Sequence, residues 1–338
     1  MPLAFKTASK QAKTKDEIST EVYDRAEKLM ENEVLIIPQD SKPWRASDIK
    51  ADCPRQVYYS RHEPGQRTGR KGAAAIFGSV VHAMLQHGAP DDFSLWQYFW
   101  DKELGRTPLH SDLIDWHSQS KPFALSAFRD LDPEGKVEAL YHRYVELDRI
   151  NHQEFWKMRP YAIYRHPPTG RLAQEQKLKG QISGREIVTT ADVILTDLYT
   201  ADLIAADWKT GRESEFTQLA TYAIIAEQQY ELEPGEVAWG MFVLTGSGEC
   251  IAPRGKLPTG YEPDPYNMIS EGPLEPWRKT VTERVDKLER REATGMWRPK
   301  LNPLCYRACE YRFKCPVGIA LAQVRQEREN NRELQSSN

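Results

Sequence analysis

In the window TTADVILTDLYTADLIAADWKTG (189–211), Asp192 opens the apolar run Val-Ile-Leu, Asp207 closes the run Leu-Ile-Ala-Ala, and Lys209 follows two residues later. Residues i and i+2 of a strand share a face, so Asp207 and Lys209 are expected to converge. A short hairpin around Tyr199 would bring Asp192 beside them. Two carboxylates and an ammonium suit metal-assisted phosphodiester hydrolysis. Hard oxygen ligands hold Mg²⁺ or Mn²⁺, which keeps several waters and takes a substrate phosphate oxygen as a further ligand. Such an ion polarises the phosphoryl group and generates a hydroxide nucleophile at neutral pH. Lys209 could position that water or offset charge on the phosphorus, and the carbonyl of Trp208 is a further candidate ligand. Gln218 and Tyr222 stand at i and i+4 on the helix that should follow, and so share a face. Glu175 lies on the preceding strand, and His82 follows Gly78 by four positions in FGSVVHAML. Asp197 and Asp202 compete with Asp192, which is preferred because it opens the apolar strand and is best spaced from Asp207.

A second group of reactive residues is the run Cys305, Cys309 and Cys315, C-x3-C-x5-C, with Pro316 after the last and Cys53 far upstream in DCPRQVYY. Thiolates select Zn²⁺ or an iron–sulfur cluster, and three of them need a fourth ligand. On spacing alone, zinc and three unrelated reduced cysteines stay open beside a cluster. Cys250 reads as a small buried hydrophobe. Arg55, Arg61, Arg67, Arg70 and Lys71 form a basic stretch opposed only by Glu63, a candidate phosphate-contact group for DNA. The basic residues between Arg278 and Arg291 alternate with acids and read as a solvated helix face. Trp96, Trp100, Trp116 and Trp156 read as core, with stacking on unpaired bases as the alternative.

These groups need elements to hold them. Hydrophobic patterning predicts helices over 16–33, 47–59 and 72–87, a mostly helical stretch over 91–158, and strands over 171–177, 187–195, 203–208 and 237–244. A helix over 215–230 separates the last two strands, another spans 275–294, and 330–338 reads as a polar tail. The 338 residues carry 46 Lys plus Arg against 49 Asp plus Glu, a net charge of −3, which excludes a polycation and leaves nucleic-acid binding to a local patch. No apolar stretch is long enough for a membrane span, and the polar first residues do not resemble a secretory signal. A reducing, cytoplasmic setting is the resulting expectation, bacterial or in the host of a phage. Neither a Walker phosphate loop nor G-x-G-x-x-G is present.

The ordered set Gly78-x-x-x-His82, Glu175, Asp192, Asp207-x-Lys209-Thr-Gly and Gln218-x-x-x-Tyr222 resembles the PD-(D/E)XK nucleases of the RecB type, over about residues 45–320. That group includes the AddB subunit, CRISPR-associated adaptation nucleases and exonuclease V. The resemblance implies an α/β, restriction-endonuclease-like mixed sheet flanked by helices, with a helical insertion and a C-terminal Cys-rich metal-cluster segment. It implies that His82, Asp192 and Asp207 ligate Mg²⁺ or Mn²⁺, that Lys209 is the catalytic lysine, and that Gln218 and Tyr222 contact DNA or steady the site. Glu175 would be an auxiliary acid. It further implies that Cys53, Cys305, Cys309 and Cys315 hold a [4Fe–4S] cluster stapling the ends of the chain, with Zn²⁺ as the lesser alternative. Two departures are visible: Thr189-Thr190-Ala191 stands where the family usually has a glycine, and Cys305-x3-Cys309 has one residue more than usual.

The expected organisation is one nuclease domain over 1–338, with N-terminal helices at 16–88, a helical insertion at 89–160, an α/β core at 161–245 and a C-terminal segment at 246–338. The expected activity is that of a metal-dependent DNA nuclease, an exonuclease acting on single-stranded or double-stranded ends, with a recombination or replication protein as candidate partner. The alternatives are a nuclease-fold binding or assembly protein with little cleavage, and a zinc-stapled structural module.

Overall fold

The computed structural model describes residues 15–31, 33, 35, 42–63, 73–105, 131–149, 161–166, 170–198, 201–209, 216–243, 274–301, 305 and 309–336. The chain divides into two compact units, one comprising Met1–Ile37, Cys53–Gly69 and Trp297–Asn338, the other Pro38–Asp52 and Arg70–Met296.

The larger unit is built on a five-stranded mixed sheet: β1 (Tyr161–Ile163), β2 (Gln174–Ile182), β3 (Arg185–Asp197), β4 (Leu203–Lys209) and β5 (Val237–Val243). β3 is the spine. β1 and β2 pair antiparallel along one of its edges, β4 pairs antiparallel along the other, and β5 is parallel to β4. The expected hairpin between the two aspartate-bearing strands is therefore present. The parallel pair requires a crossover, supplied by helix α7 (Phe216–Gln229).

Strand alternation divides the sheet's burial. Val193, Leu195, Ile204, Ala206 and Trp208 enter one apolar cluster with Ile76, Phe77, Val80, Val81 and Met84 of α4 (Ala73–His87). Trp96 and Trp100 of α5 (Phe93–Gly105) and Leu140 and Tyr144 of α6 (Pro133–Leu147) complete that cluster. Both tryptophans are thus core, as their helical spacing predicts; Trp116 and Trp156 lie outside the described residues.

α7 packs on β2, β4 and β5, while α2 (Ala46–Lys50) and α8 (Glu275–Thr294) pack on α7. Nearly every α7 side chain is buried, as expected for a helix apolar on all sides. Gly180 permits that contact, since a Cβ there would lie 3.1 Å from Ile225 Cδ1. Gln229 accepts from the Lys179 N–H, and Gln228 exchanges hydrogen bonds with the Gln181 backbone, covering part of the β2 edge. The α8 charges also tie elements together: Arg284 donates to the Ile49 and Lys50 carbonyls, Arg278 pairs with buried Glu227, and Glu289 accepts from Trp44 and Arg185.

The smaller unit contains α1 (Lys15–Met30), α3 (Pro54–His62) and α9 (Pro316–Ser336). Val22 and Ala26 of α1 and Val317, Ala320, Leu321 and Val324 of α9 are buried, and Arg25 pairs with Glu327 at 2.7 Å. Two expectations need correction here. The helix predicted over 47–59 is two helices, because Pro54 has no N–H to continue α2 and instead starts α3 at its first turn. Residues 330–336 are not a tail but the last turns of α9, whose buried stripe earlier in the helix supports a polar end.

Candidate active site

The β3–β4 ladder runs from Thr196↔Leu203 to Val193↔Ala206. Beyond it β3 stays paired to β2, and β4 stays paired to β5 as far as Lys209↔Val243. The sheet therefore forks just where Asp192 and Asp207 stand opposite each other. In place of a ladder bond, the Trp208 N–H donates to Asp192 Oδ2 at 2.9 Å, which fixes the carboxylate's orientation. His82 reaches the fork from the middle of α4, with Nδ1 3.1 Å from the same oxygen. One ligand atom each from His82, Asp192 and Asp207 lies within 4.8 Å of the others, and Asp207 is only 2% exposed.

Glu175 occupies the β2 position between the pairs Gln174↔Val193 and Gln176↔Ala191, with a left-handed φ of 46°. Such a conformation costs about 1–3 kcal/mol for a residue with a Cβ and is tolerated where the surroundings over-determine it. Much of this side chain is exposed, yet its carboxyl is raised above the ordinary range, first by local desolvation and then by the Asp192 charge, with His82 opposing. On the α7 side, Gln218 Nε2 donates to the Tyr222 hydroxyl. Burial, and then the charges of Asp207 and Asp192, hold the Tyr222 phenol well above its usual value, so it stays protonated; bonds to Gln218 and Thr189 oppose the shift. Thr189 is buried. Sequence reasoning registered it only as a departure from glycine; its one local signal was a hydroxyl at an inward strand position. Lys209 ends β4, two residues beyond Asp207.

A nitrogen and two carboxylates converging in a largely buried fork form a donor set for a hard divalent cation, with the imidazole favouring Mn²⁺ over Ca²⁺. Without a cation, two like charges face each other with little water between them. The donors therefore fit Mg²⁺ or Mn²⁺.

The four cysteines fall together in the smaller unit. Cys53 caps α3 and accepts from the Lys300 N–H at 3.5 Å, while the Cys305 thiol donates to the Lys300 carbonyl at 3.6 Å. Burial pushes the Cys309 thiol up to about 11, with Cys305 and Cys53 adding to the rise and the Tyr311 N–H opposing it. Burial likewise pushes Cys315 up to about 12; Cys53 and Cys309 add to this, and the Gly318 and Val317 N–H groups at the start of α9 oppose it. Cys53 and Cys305 act on Cys309, Cys53 and Cys309 act on Cys315, and backbone N–H groups meet the sulfurs of Cys53, Cys309 and Cys315. These thiols would suit a thiolate-bound metal centre, whose cation would drive off the protons that burial otherwise retains. Gly318 makes the turn possible, since a Cβ there would sit 2.0 Å from the Arg312 carbonyl oxygen.

The basic stretch is divided. Arg67, Arg70 and Lys71 lie outside the described residues, as does Cys250. Arg55 and Arg61 are buried, and Arg55 donates through both terminal nitrogens to Glu33. Among the described residues of that group, neither arginine offers a surface cation for a phosphate.

The sequence matches the PD-(D/E)XK nuclease superfamily over residues 49–316, and the chain belongs to that superfamily. Its mixed sheet with flanking helices accords with the restriction-endonuclease-like fold. No curated protein matches the sequence significantly. A solved structure, "Crystal structure of SSO0001", aligns with 13% identity and a TM-score of 0.32, covering 89% of this chain and 96% of that one.

Proposed function

We propose that this member of the superfamily is a DNA exonuclease of the RecB type, with a hard divalent cation in the sheet fork and a [4Fe–4S] cluster on Cys53, Cys305, Cys309 and Cys315. Superfamily members generally hydrolyse phosphodiester bonds with Mg²⁺ or Mn²⁺. The observation that carries the reading is the meeting of His82, Asp192 and Asp207 within 4.8 Å.

His82, Asp192 and Asp207 would hold the cation, which when bound supplies Lewis-acid activation of the phosphodiester and its attacking water. The chain's own groups do the rest. The Trp208 N–H holds Asp192 in one orientation. Glu175, opposite Asp192 on the neighbouring strand, would be the auxiliary acid and accept a proton from the attacking water. Tyr222 remains a neutral donor for a phosphate oxygen, with its hydroxyl aligned by Gln218. Lys209 is assigned the ammonium that offsets charge on the phosphate in the transition state. The cluster assignment is supported by the four thiols and by backbone N–H groups directed at the sulfurs of Cys53, Cys309 and Cys315.

The test uses end-labelled linear DNA and covalently closed circles with Mg²⁺ or Mn²⁺. Release of nucleotides from linear DNA alone supports the exonuclease; cut circles would replace it with an endonuclease. Equal degradation by wild type and Asp207→Ala would overturn the site. Brown protein containing iron supports the cluster, whereas colourless protein with stoichiometric zinc would replace it with a zinc site.

A further inference from the structure

The sulfurs come from segments far apart in the chain, Cys53 at the start of α3 and the other three at 305–315, and ordering so long a loop carries an entropic cost. Contacts that involve no thiol already span the two segments. The Tyr59 and Tyr311 rings pack with centroids 5.3 Å apart, and Tyr58 and Trp297 pack at 6.1 Å. Lys314 sits with Nζ 5.2 Å from the Tyr59 ring centroid and pairs with Glu63, just past the end of α3. Tyr59 is fixed in turn: its hydroxyl donates to Glu33 at 3.4 Å, and Glu33 receives both terminal nitrogens of buried Arg55 at 3.0 and 3.2 Å. The Arg55 guanidinium carbon also lies 5.9 and 5.7 Å from the Tyr58 and Tyr59 ring centroids. On the far side of Lys314, the turn from Cys309 to Cys315 is closed by its own backbone bonds, Arg312 N–H to the Cys309 carbonyl and Cys315 N–H to the Tyr311 carbonyl.

From this network we infer that Glu33, Arg55, Tyr59, Glu63 and Lys314 form a latch that holds the Cys53 segment against the Cys309–Cys315 turn before metal enters, and so slows metal release. The inference rests on the reading that these cysteines bind metal, and it makes Lys314 and Glu63 positioning residues for that centre. Ion pairs and cation–π contacts are strengthened where water is excluded, and the Lys314 and Glu63 side chains are only 28% and 24% exposed. The latch also gives Arg55 a use inside the protein that its place in a basic stretch did not suggest.

The test is metal release from the full chain, loaded either with iron and sulfide under argon or with zinc alone, then challenged with excess EDTA and followed by visible absorption or a chromogenic zinc indicator. Lys314→Met is expected to release metal about 10- to 100-fold faster, the range typical of lost partners around metal ligands, while Lys314→Arg stays near wild type. Circular dichroism should be unchanged in both. Release at the wild-type rate from folded Lys314→Met would overturn the latch. Should that variant misfold, Glu63→Gln keeps the cation over the ring and is expected to give intermediate release; a wild-type rate there overturns the latch as well. A wild-type protein that takes up neither iron nor zinc would instead remove the metal reading on which the latch rests, a failure distinct from a metal centre indifferent to Lys314.

Discussion

Asp207→Asn should make the metal-free protein more stable and the enzyme inactive. Asp192 and Asp207 face each other across the fork with ligand atoms within 4.8 Å, and Asp207 is 2% exposed. At an effective dielectric constant near 20, two like charges at that separation repel by roughly 3.5 kcal/mol. The His82 Nδ1 at 3.1 Å from Asp192 offsets part of this, and the amide loses some of the hydrogen bonding of the carboxylate. A net gain of about 1–2 kcal/mol remains, seen as a rise in Tm of about 2–4 °C in EDTA. Mn²⁺ at a hundredfold excess over Kd should stabilise wild type by about 2.7 kcal/mol. In the variant, a hundredfold loss of affinity would leave about 0.4 kcal/mol of that at the same concentration. The assay is a thermal melt of both proteins in EDTA and in Mn²⁺. A variant that melts below wild type in EDTA, or that keeps the full Mn²⁺ shift, would refute the reasoning that the fork is an anionic cation site.

Three further outcomes are expected. Because the Glu175 carboxyl is raised above 4.5 in the folded protein, folding is disfavoured as pH climbs from that value through the raised one; Glu175→Gln in EDTA should match wild type at low pH and gain on it toward pH 8, and a constant difference in Tm across that range counts against the crowding of Glu175 by Asp192. Arg55→Ala leaves Glu33 without its bidentate partner and should cost about 2–4 kcal/mol in urea unfolding, while the salt dependence of DNA binding keeps its slope; a flatter slope with unchanged stability would return Arg55 to the DNA surface. Gly318→Ala drives a Cβ into the Arg312 backbone and should cost about 3 kcal/mol or more together with metal retention, whereas the Gly180→Ala clash meets movable Gln228 and Ile225 side chains and should cost about 1 kcal/mol; similar losses by thermal melt would refute that distinction.

The strands and helices that carry the site were legible because their signals are local. The apolar runs before Asp207 and after Asp192 have strand length, and the Gln218–Tyr222 pair has helical spacing, so the hairpin and the helix before the last strand followed, whereas the parallel pairing of that strand did not. The Pro54 break was equally local and was missed because the apolar stripe runs across it. Other features depended on distant partners. Arg55 looked like a surface cation until burial and the half-buried Glu33 carboxylate gave it an internal partner. Thr189 looked like an imperfect match until Tyr222 came to it from α7. The last turns of α9 read as a tail because nothing in their composition shows that the helix is anchored upstream on α1.

Side-chain chemistry and spacing by themselves determined which groups could act: two carboxylates and a lysine on paired strands, an imidazole, and four thiols. These follow from residue type and from the fixed periods of strand and helix. Only the tertiary structure decided that β3 and β4 part at the aspartates, that the Trp208 N–H turns one of them into the gap, and that α4 brings His82 to it. It likewise decided that the thiols are tied together by contacts of their own neighbours. The reason is physical: a period fixes direction along one element, whereas distance, desolvation and mutual charge arise only where separate elements pack against each other.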